Sequence, residues 1–130
     1  MLITFTGRKS GKVFTTPVRY IRNGETVRCF TSSENQWWRN LRGGGDVTLL
    51  IEGKSEFFHA VASQDDPAKI RKWLLYYLGM FPQDAVYHGI RLEEDKRVNS
   101  DDLDQASRLA VLVEATPLPG PEITSDEKSI

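Results

Sequence analysis

Apolar residues recur with period two over most of the first half of the chain and with a helical period only later, which predicts a strand-rich domain with helices inserted. Leu2 to Phe5 is a short apolar run, and Val13 to Ile21 alternates with Phe14, Thr16, Val18 and Tyr20 on one face. These two segments are expected to pair as a hairpin. Pro17 has no N–H for a ladder, so it marks an edge or a bulge. Asn23-Gly24 is a turn signal before a third strand, Thr26 to Thr31, so three strands are expected to be contiguous. Ser33-Glu34-Asn35-Gln36 has the form of a capping box, opening a short helix that ends at Gly43 and carries Trp37, Trp38 and Leu41 on one side.

A second hairpin follows, Val47 to Ile51 and Ser55 to Ala62, turning at Gly53. Asp66-Pro67 starts the clearest helix, with Ile70, Trp73, Leu74, Tyr77 and Leu78 as its buried stripe and Gly79 at its end. Met80 to Asn99 has little periodicity and is expected to be a lid-like loop with some local helix. Ser100-Asp101-Asp102 can cap another short helix, and Leu109 to Ala115 is a last buried strand. The pattern predicts an α+β fold: a split antiparallel β-barrel of about six strands with two or three helices, formed by residues 1–115 as a single domain. Residues 116–130, rich in Pro, Ser and acids, are expected to be a flexible tail.

The 130 residues carry a net charge of −1, which argues against a general nucleic-acid binder or a polybasic membrane protein and makes any electrostatic attraction local. No stretch has the roughly 20 apolar residues of a membrane span, and the start lacks a signal-peptide shape, so a soluble cytoplasmic protein is expected. The single cysteine, Cys29, shares a strand face with Val27 and reads as a small buried hydrophobe. His59 and His88 lack the paired spacing of a zinc site, so no metal is expected. His59 lies on a strand face with Phe57 and Val61, as a core or interface histidine does. His88 and Tyr87, in the lid-like loop, are the candidates to face a substrate and supply a proton.

Local charge is concentrated in Thr6-Gly7-Arg8-Lys9-Ser10-Gly11-Lys12, where three cations and a hydroxyl stand among glycines between two strands. Glycines let backbone N–H groups turn toward a guest, Arg8 can grip a phosphate or carboxylate with two donors, and Lys9 adds a mobile charge. Only three residues separate Gly7 from Gly11, and Val13 stands where a P-loop needs a magnesium-binding hydroxyl. An anion held here is held without P-loop metal chemistry.

This turn, together with Thr16-Pro17, Trp37-Trp38-Arg39-Asn40-Leu41-Arg42 and Val47 to Gly53, resembles the deazaflavin (F420)-dependent nitroreductase and quinone reductase family. The resemblance implies an FMN-binding split barrel of the pyridoxamine-phosphate-oxidase type, expected as a homodimer, that uses coenzyme F420 or FMN for hydride transfer to a quinone, nitro compound or enone. It implies that Arg8, Lys9, Ser10 and Gly11 hold the cofactor's phosphate-bearing tail, with Thr16, Pro17 and Asn40 beside them. Ser32 and Ser33 then meet the ring, and Trp37 and Trp38 wall its pocket. A non-catalytic binder of a flavin, tetrapyrrole or fatty acid is the alternative within the same fold. Phe14 stands where relatives carry a further arginine, and the segment before the Trp-Trp pair lacks their Gly-Gly and lysine residues, so a weaker grip on a polyanion and a preference for FMN are expected.

Overall fold

A computed structural model describes residues 1–119, in which one antiparallel sheet of seven strands is joined by two α-helices and two 3₁₀ helices. The strands are β1 (Leu2–Thr6), β2 (Val13–Pro17), β3 (Ile21–Asn23), β4 (Thr26–Ser32), β5 (Gly45–Ile51), β6 (Lys54–Ser63) and β7 (Ala110–Pro117). Helix α1 spans Pro67–Met80 and α2 spans Ser100–Leu109, while Trp37–Leu41 and Pro82–His88 are the 3₁₀ helices. The strand order is β2-β1-β5-β6-β7-β4-β3. Inward residues of β1, β4, β5, β6 and β7 all join one apolar cluster, plugged by Trp38 and Leu41 of the first 3₁₀ helix. The sheet therefore curls on itself while β2 and β3 remain unpaired edges, which makes the α+β fold a split barrel.

Local turn chemistry places the hairpins as the sequence predicts. β1 pairs with β2 from Leu2 opposite Pro17 to Thr6 opposite Val13, and β5 pairs with β6 around Glu52 and Gly53, both at positive φ as a tight two-residue turn requires. The expected strand Val13 to Ile21 is instead two strands on opposite edges, so the first three strands are not contiguous and the sheet has seven strands rather than six. Pro17 ends β2, the Val18 N–H still reaches the Met1 carbonyl at 2.9 Å, and the chain then crosses to β3. Alternation alone does not distinguish one long strand from two short ones in register.

Helix α1 begins as Asp66-Pro67 predicts, with the Asp66 carboxylate accepting from the Lys69 N–H at 3.2 Å. It runs one residue past Gly79, and its stripe Ile70, Leu74, Tyr77 and Leu78 is buried. Each buried aliphatic side chain contributes about 1.5–3 kcal/mol as an upper estimate. On the outer face of β4 and β7, Arg28 donates to Glu114 at 2.8 Å and stacks 3.6 Å over the Trp73 ring. Lys69 reaches the other Glu114 oxygen at 2.6 Å, so α1 is pinned by charge as well as by packing. Asn99, rather than Ser100, caps α2, accepting from the Asp102 N–H at 2.9 Å. β7 continues through Thr116 and Pro117, and the Leu118 N–H bonds the Phe57 carbonyl at 3.1 Å, while the rest of the expected tail, 120–130, lies outside the described residues.

Cys29 and Val27 are both buried in the barrel, as their shared face predicts. His59 is not in the core. It sits with exposed Phe57 and Val61 on the outer face of β6, its Nδ1 3.0 Å from the Asp46 carboxylate, on the side away from the Phe58, Ala60 and Ala62 that enter the barrel. No described helix is long and apolar enough to cross a membrane.

Candidate functional site

The β1–β2 turn is built by two backbone bonds, Gly7 N–H to the Lys12 carbonyl at 2.7 Å and Gly11 N–H to the Gly7 carbonyl at 2.9 Å. Gly7 lets the turn close tightly: a Cβ there would lie 2.7 Å from the Phe14 ring and 3.0 Å from Ser10 Oγ, so the ring would have to shift. The first 3₁₀ helix packs against this turn through Asn40, whose Oδ1 accepts from the Arg8 N–H at 2.9 Å and whose Nδ2 donates to the Trp37 carbonyl at 2.9 Å. Arg8 also extends a long 3.5 Å contact to the Arg39 carbonyl. An open groove of about 640 Å³ results, lined by Gly7, Arg8, Lys9, Ser10 and Phe14 on one side and Gln36, Arg39, Asn40 and Arg42 on the other.

Four cations thus face one groove, and none of the four is in an ion pair among the described residues. Ser10 Oγ accepts from the Lys12 N–H at 3.2 Å, which leaves its hydrogen free to donate. Arg39 and Arg42 belong to the Trp37–Arg42 stretch that carries the resemblance, where neither has an assigned role. The expected capping box does not form: Gln36 caps without a side-chain bond. Ser32 Oγ instead accepts from the Glu34 N–H at 3.1 Å, and Asn35 donates to Thr31 Oγ1 at 2.7 Å. The tighter 3₁₀ turn stacks residues three apart, which is why Arg39 and Arg42 stand together while Trp38 and Leu41 enter the core.

The remaining sequence-predicted residues divide between other places. Trp38 is 1% exposed in the barrel core, and its indole N–H has no partner, so it is not a pocket wall. Trp37 is half-buried against Phe5, with ring centroids 5.7 Å apart, and lines none of the described cavities. Thr16 lies on β2 opposite Ile3, while Gly11, at φ +71, and Ser33 also stand outside those cavities. Pro17 lines a separate cavity with Arg19, Tyr20, Met80 and Phe81. Ser32, Tyr87 and His88 do come together, with Thr31, around a cavity of about 190 Å³ at the end of β4.

In that cavity Tyr87 is largely exposed, while His88 packs edge-on to Phe30 and Tyr77 with centroids 6.4 and 6.3 Å away. Burial pushes the His88 imidazole below its ordinary pKa of 6.5, against an opposing pull from Asp84, so the ring is neutral near pH 7. Next to it the Tyr77 hydroxyl donates to buried Asp84 at 2.5 Å, and burial together with this bond raises the phenol.

Residues 1–88, the segment that holds the basic turn, the 3₁₀ helix and Ser32, Tyr87 and His88, match the F420H(2)-dependent quinone reductase family. The chain belongs to that family. It is thereby a member of a group of deazaflavin-dependent oxidoreductases, and the resemblance read from the sequence is borne out. No curated protein matches the sequence. Among solved structures, the FAD and heme binding protein from Mycobacterium smegmatis shares the fold at 13% identity and a TM-score of 0.51, over 92% of this chain and 65% of its own. An F420 reductase is similar at 16% identity and a TM-score of 0.45, over 90% of this chain and 84% of its own. The flavocytochrome Anf3 from Azotobacter vinelandii is similar at 16% identity and 0.47, over 92% and 63%. This chain spans slightly under two thirds of the length of the Mycobacterium and Azotobacter proteins.

The donor set of the basic groove fits the tail of the family's cofactor. A phosphate and carboxylates need several N–H and O–H donors with fixed positive charge, and Arg8, Lys9, Arg39, Arg42 and the Ser10 hydroxyl supply them.

Proposed function

We propose that the protein is an oxidoreductase that takes electrons from reduced coenzyme F420 and passes them to a small organic acceptor of the quinone class. The observation that carries this reading is the convergence of four cations on one groove at the family's own basic turn. When bound, the deazaflavin supplies the hydride; the protein's part is to hold, orient and shield. Arg8, Lys9, Ser10, Arg39 and Arg42 bind the acidic tail, and Asn40 fixes the turn that presents them. Arg39 and Arg42 make good the arginine that Phe14 replaces, which favours the polyanionic tail of F420 over the single phosphate of FMN. Ser32 offers a hydroxyl to the ring carbonyls from the cavity it shares with Tyr87 and His88. Proton supply to the reduced acceptor is assigned to Tyr87 and His88, which line that cavity together.

Residues 1–118 form the functional unit, with small molecules as its partners. Exposed Leu2, Val13, Phe57 and Val61 on the outer face of β1, β2 and β6 support a homodimer through that face. A cell-interior location follows from dependence on a reduced cofactor made there.

Titration of the purified protein with F420 and with FMN tests the reading. F420 is expected to bind more tightly, and Arg8→Ala/Lys9→Ala and Arg39→Ala/Arg42→Ala are each expected to weaken it by at least about tenfold, with far-UV circular dichroism unchanged. Undiminished F420 affinity in both folded double variants would remove the tail site. F420 binding without oxidation of its reduced form by any quinone would favour the non-catalytic binder.

A further inference from the structure

The largest described cavity away from the basic groove lies where the link between β2 and β3 passes the end of α1, and at its rim a guanidinium paired with a buried carboxylate keeps donors free. Arg19 stands 3.6 Å from Asp84 Oδ1, beyond hydrogen-bond range, so the contact aligns its charge without consuming its donors. The same group lies 4.9 Å over the Phe81 ring. Asp84 is itself 7% exposed and anchored by the Tyr77 hydroxyl at 2.5 Å. Two independent supports thus hold a half-exposed Arg19 at the rim of a space of about 600 Å³. A lone solvated arginine has neither support nor cavity.

The walls give the chemistry of the guest. Pro17, Val18, Tyr20, Met80 and Phe81 present apolar and aromatic surface, and no lining residue is acidic. Arg22 also borders the space, but it faces a second, polar cavity with Glu52 and Glu56, so its charge is shared. Asp84 is the one carboxylate that meets Arg19 among the described residues. A volume in the range of small-molecule pockets, apolar walls and one oriented charge describe a site for an aromatic or quinonoid molecule carrying a carboxylate or sulfonate. Its position is also apt. Phe81 of its wall packs on Tyr77 with ring centroids 5.2 Å apart, and Tyr77 packs on His88 at 6.3 Å, so one aromatic row links this cavity to the proposed proton donor.

We propose that the Arg19 cavity is a binding site for a flat organic anion, and that this anion is the electron acceptor. The second clause rests on the oxidoreductase reading; the first does not.

Two arms separate them. In the binding arm, calorimetry on the protein without cofactor compares naphthoate with its methyl ester. Wild type is expected to prefer the anion by about tenfold, the worth of one charge-assisted hydrogen bond, and Arg19→Gln is expected to abolish that preference. Because Arg19→Gln leaves Asp84 buried and unpaired, Arg19→Gln/Asp84→Asn provides a variant with neither charge, expected to fold and to bind acid and ester alike. Equal affinity of wild type for acid and ester, no binding of naphthoate, or a preference that survives in either folded variant overturns the site. In the turnover arm, reduced F420 is oxidised by naphthoquinone sulfonate or by naphthoquinone. A kcat/KM advantage of the sulfonate that vanishes in Arg19→Gln supports the acceptor assignment. Turnover of both quinones with no advantage and no effect of Arg19 overturns it while leaving the oxidoreductase reading intact. Naphthoate selectivity with no turnover of either quinone upholds the site and overturns the oxidoreductase reading with the acceptor role.

Discussion

Asn40→Ala is the most informative single change, because one side chain joins the basic turn to the helix that supplies half of its charge. Two bonds are lost: the acceptor for the Arg8 N–H and the donor to the Trp37 carbonyl, both at 2.9 Å. A net intramolecular hydrogen bond is worth about 0.5–1.5 kcal/mol. The Arg8 amide is exposed, so water replaces its partner and the low end applies there, whereas the Trp37 bond is partly buried and falls nearer the high end. The sum is about 1–2 kcal/mol, an expected fall of roughly 3–6 °C in Tm for a domain of this size. If that order is also what aligns Arg8 with Arg39 and Arg42, F420 affinity falls by a further factor of about 5–30, read by fluorescence titration. Asn40→Asp separates the two effects, since it keeps an acceptor for Arg8 but loses the donor to Trp37 and adds a negative charge to the groove. It is expected to regain part of the lost stability while binding F420 more weakly than Asn40→Ala. Should Asn40→Ala match wild type in both Tm and affinity, the turn and the 3₁₀ helix are not coupled and the four-cation groove does not act as a unit.

Tyr77→Phe removes the bond that anchors buried Asp84. A hydrogen bond to a charged group is worth about 1.5–3 kcal/mol, so urea unfolding is expected to show a loss of about 2 kcal/mol. His88 is held below its ordinary pKa of 6.5, so the unfolded chain protonates first: its contribution to stability is complete above pH 6.5 and is lost as pH falls below it. His88→Phe is expected to flatten the stability-pH curve in that window, and an unchanged slope would place the ring in a solvated setting. Burial lifts the Cys29 thiol to about 12, so a disulfide reagent at pH 8 is expected to leave the native protein unmodified and to react at once in denaturant.

Most of the fold was legible wherever the signal was local. Asn23-Gly24, Gly53 and Asp66-Pro67 set their turns and cap by residue chemistry that acts within a few positions. What stayed hidden is the order of strands. Val13 to Ile21 alternates without a break, and only the pairing of β1 with β5 and of β4 with β7 sends its two halves to opposite edges. The core half of the expectation for His59 failed for the same reason, since a period-two face becomes core or surface according to what covers it, and exposed Phe57 and Val61 share that face of β6.

The site divides along the same line. Arg8, Lys9 and Ser10 were readable because glycines and charge share one turn, and Ser32, Tyr87 and His88 meet because the second 3₁₀ helix passes the end of β4. Arg39 and Arg42 were not, because residues three apart share a side on either helix type and nothing local showed that this side would face the basic turn. With 3.6 residues per turn, positions three apart diverge by about 60° around the axis; with three per turn they eclipse. A helix that buries residues three apart must display residues three apart. The 3₁₀ turn sets Arg39 and Arg42 on one side, where they line one groove with Arg8 and Lys9, and the side-chain bonds of Ser32 and Asn35 shape the turn that leads into it.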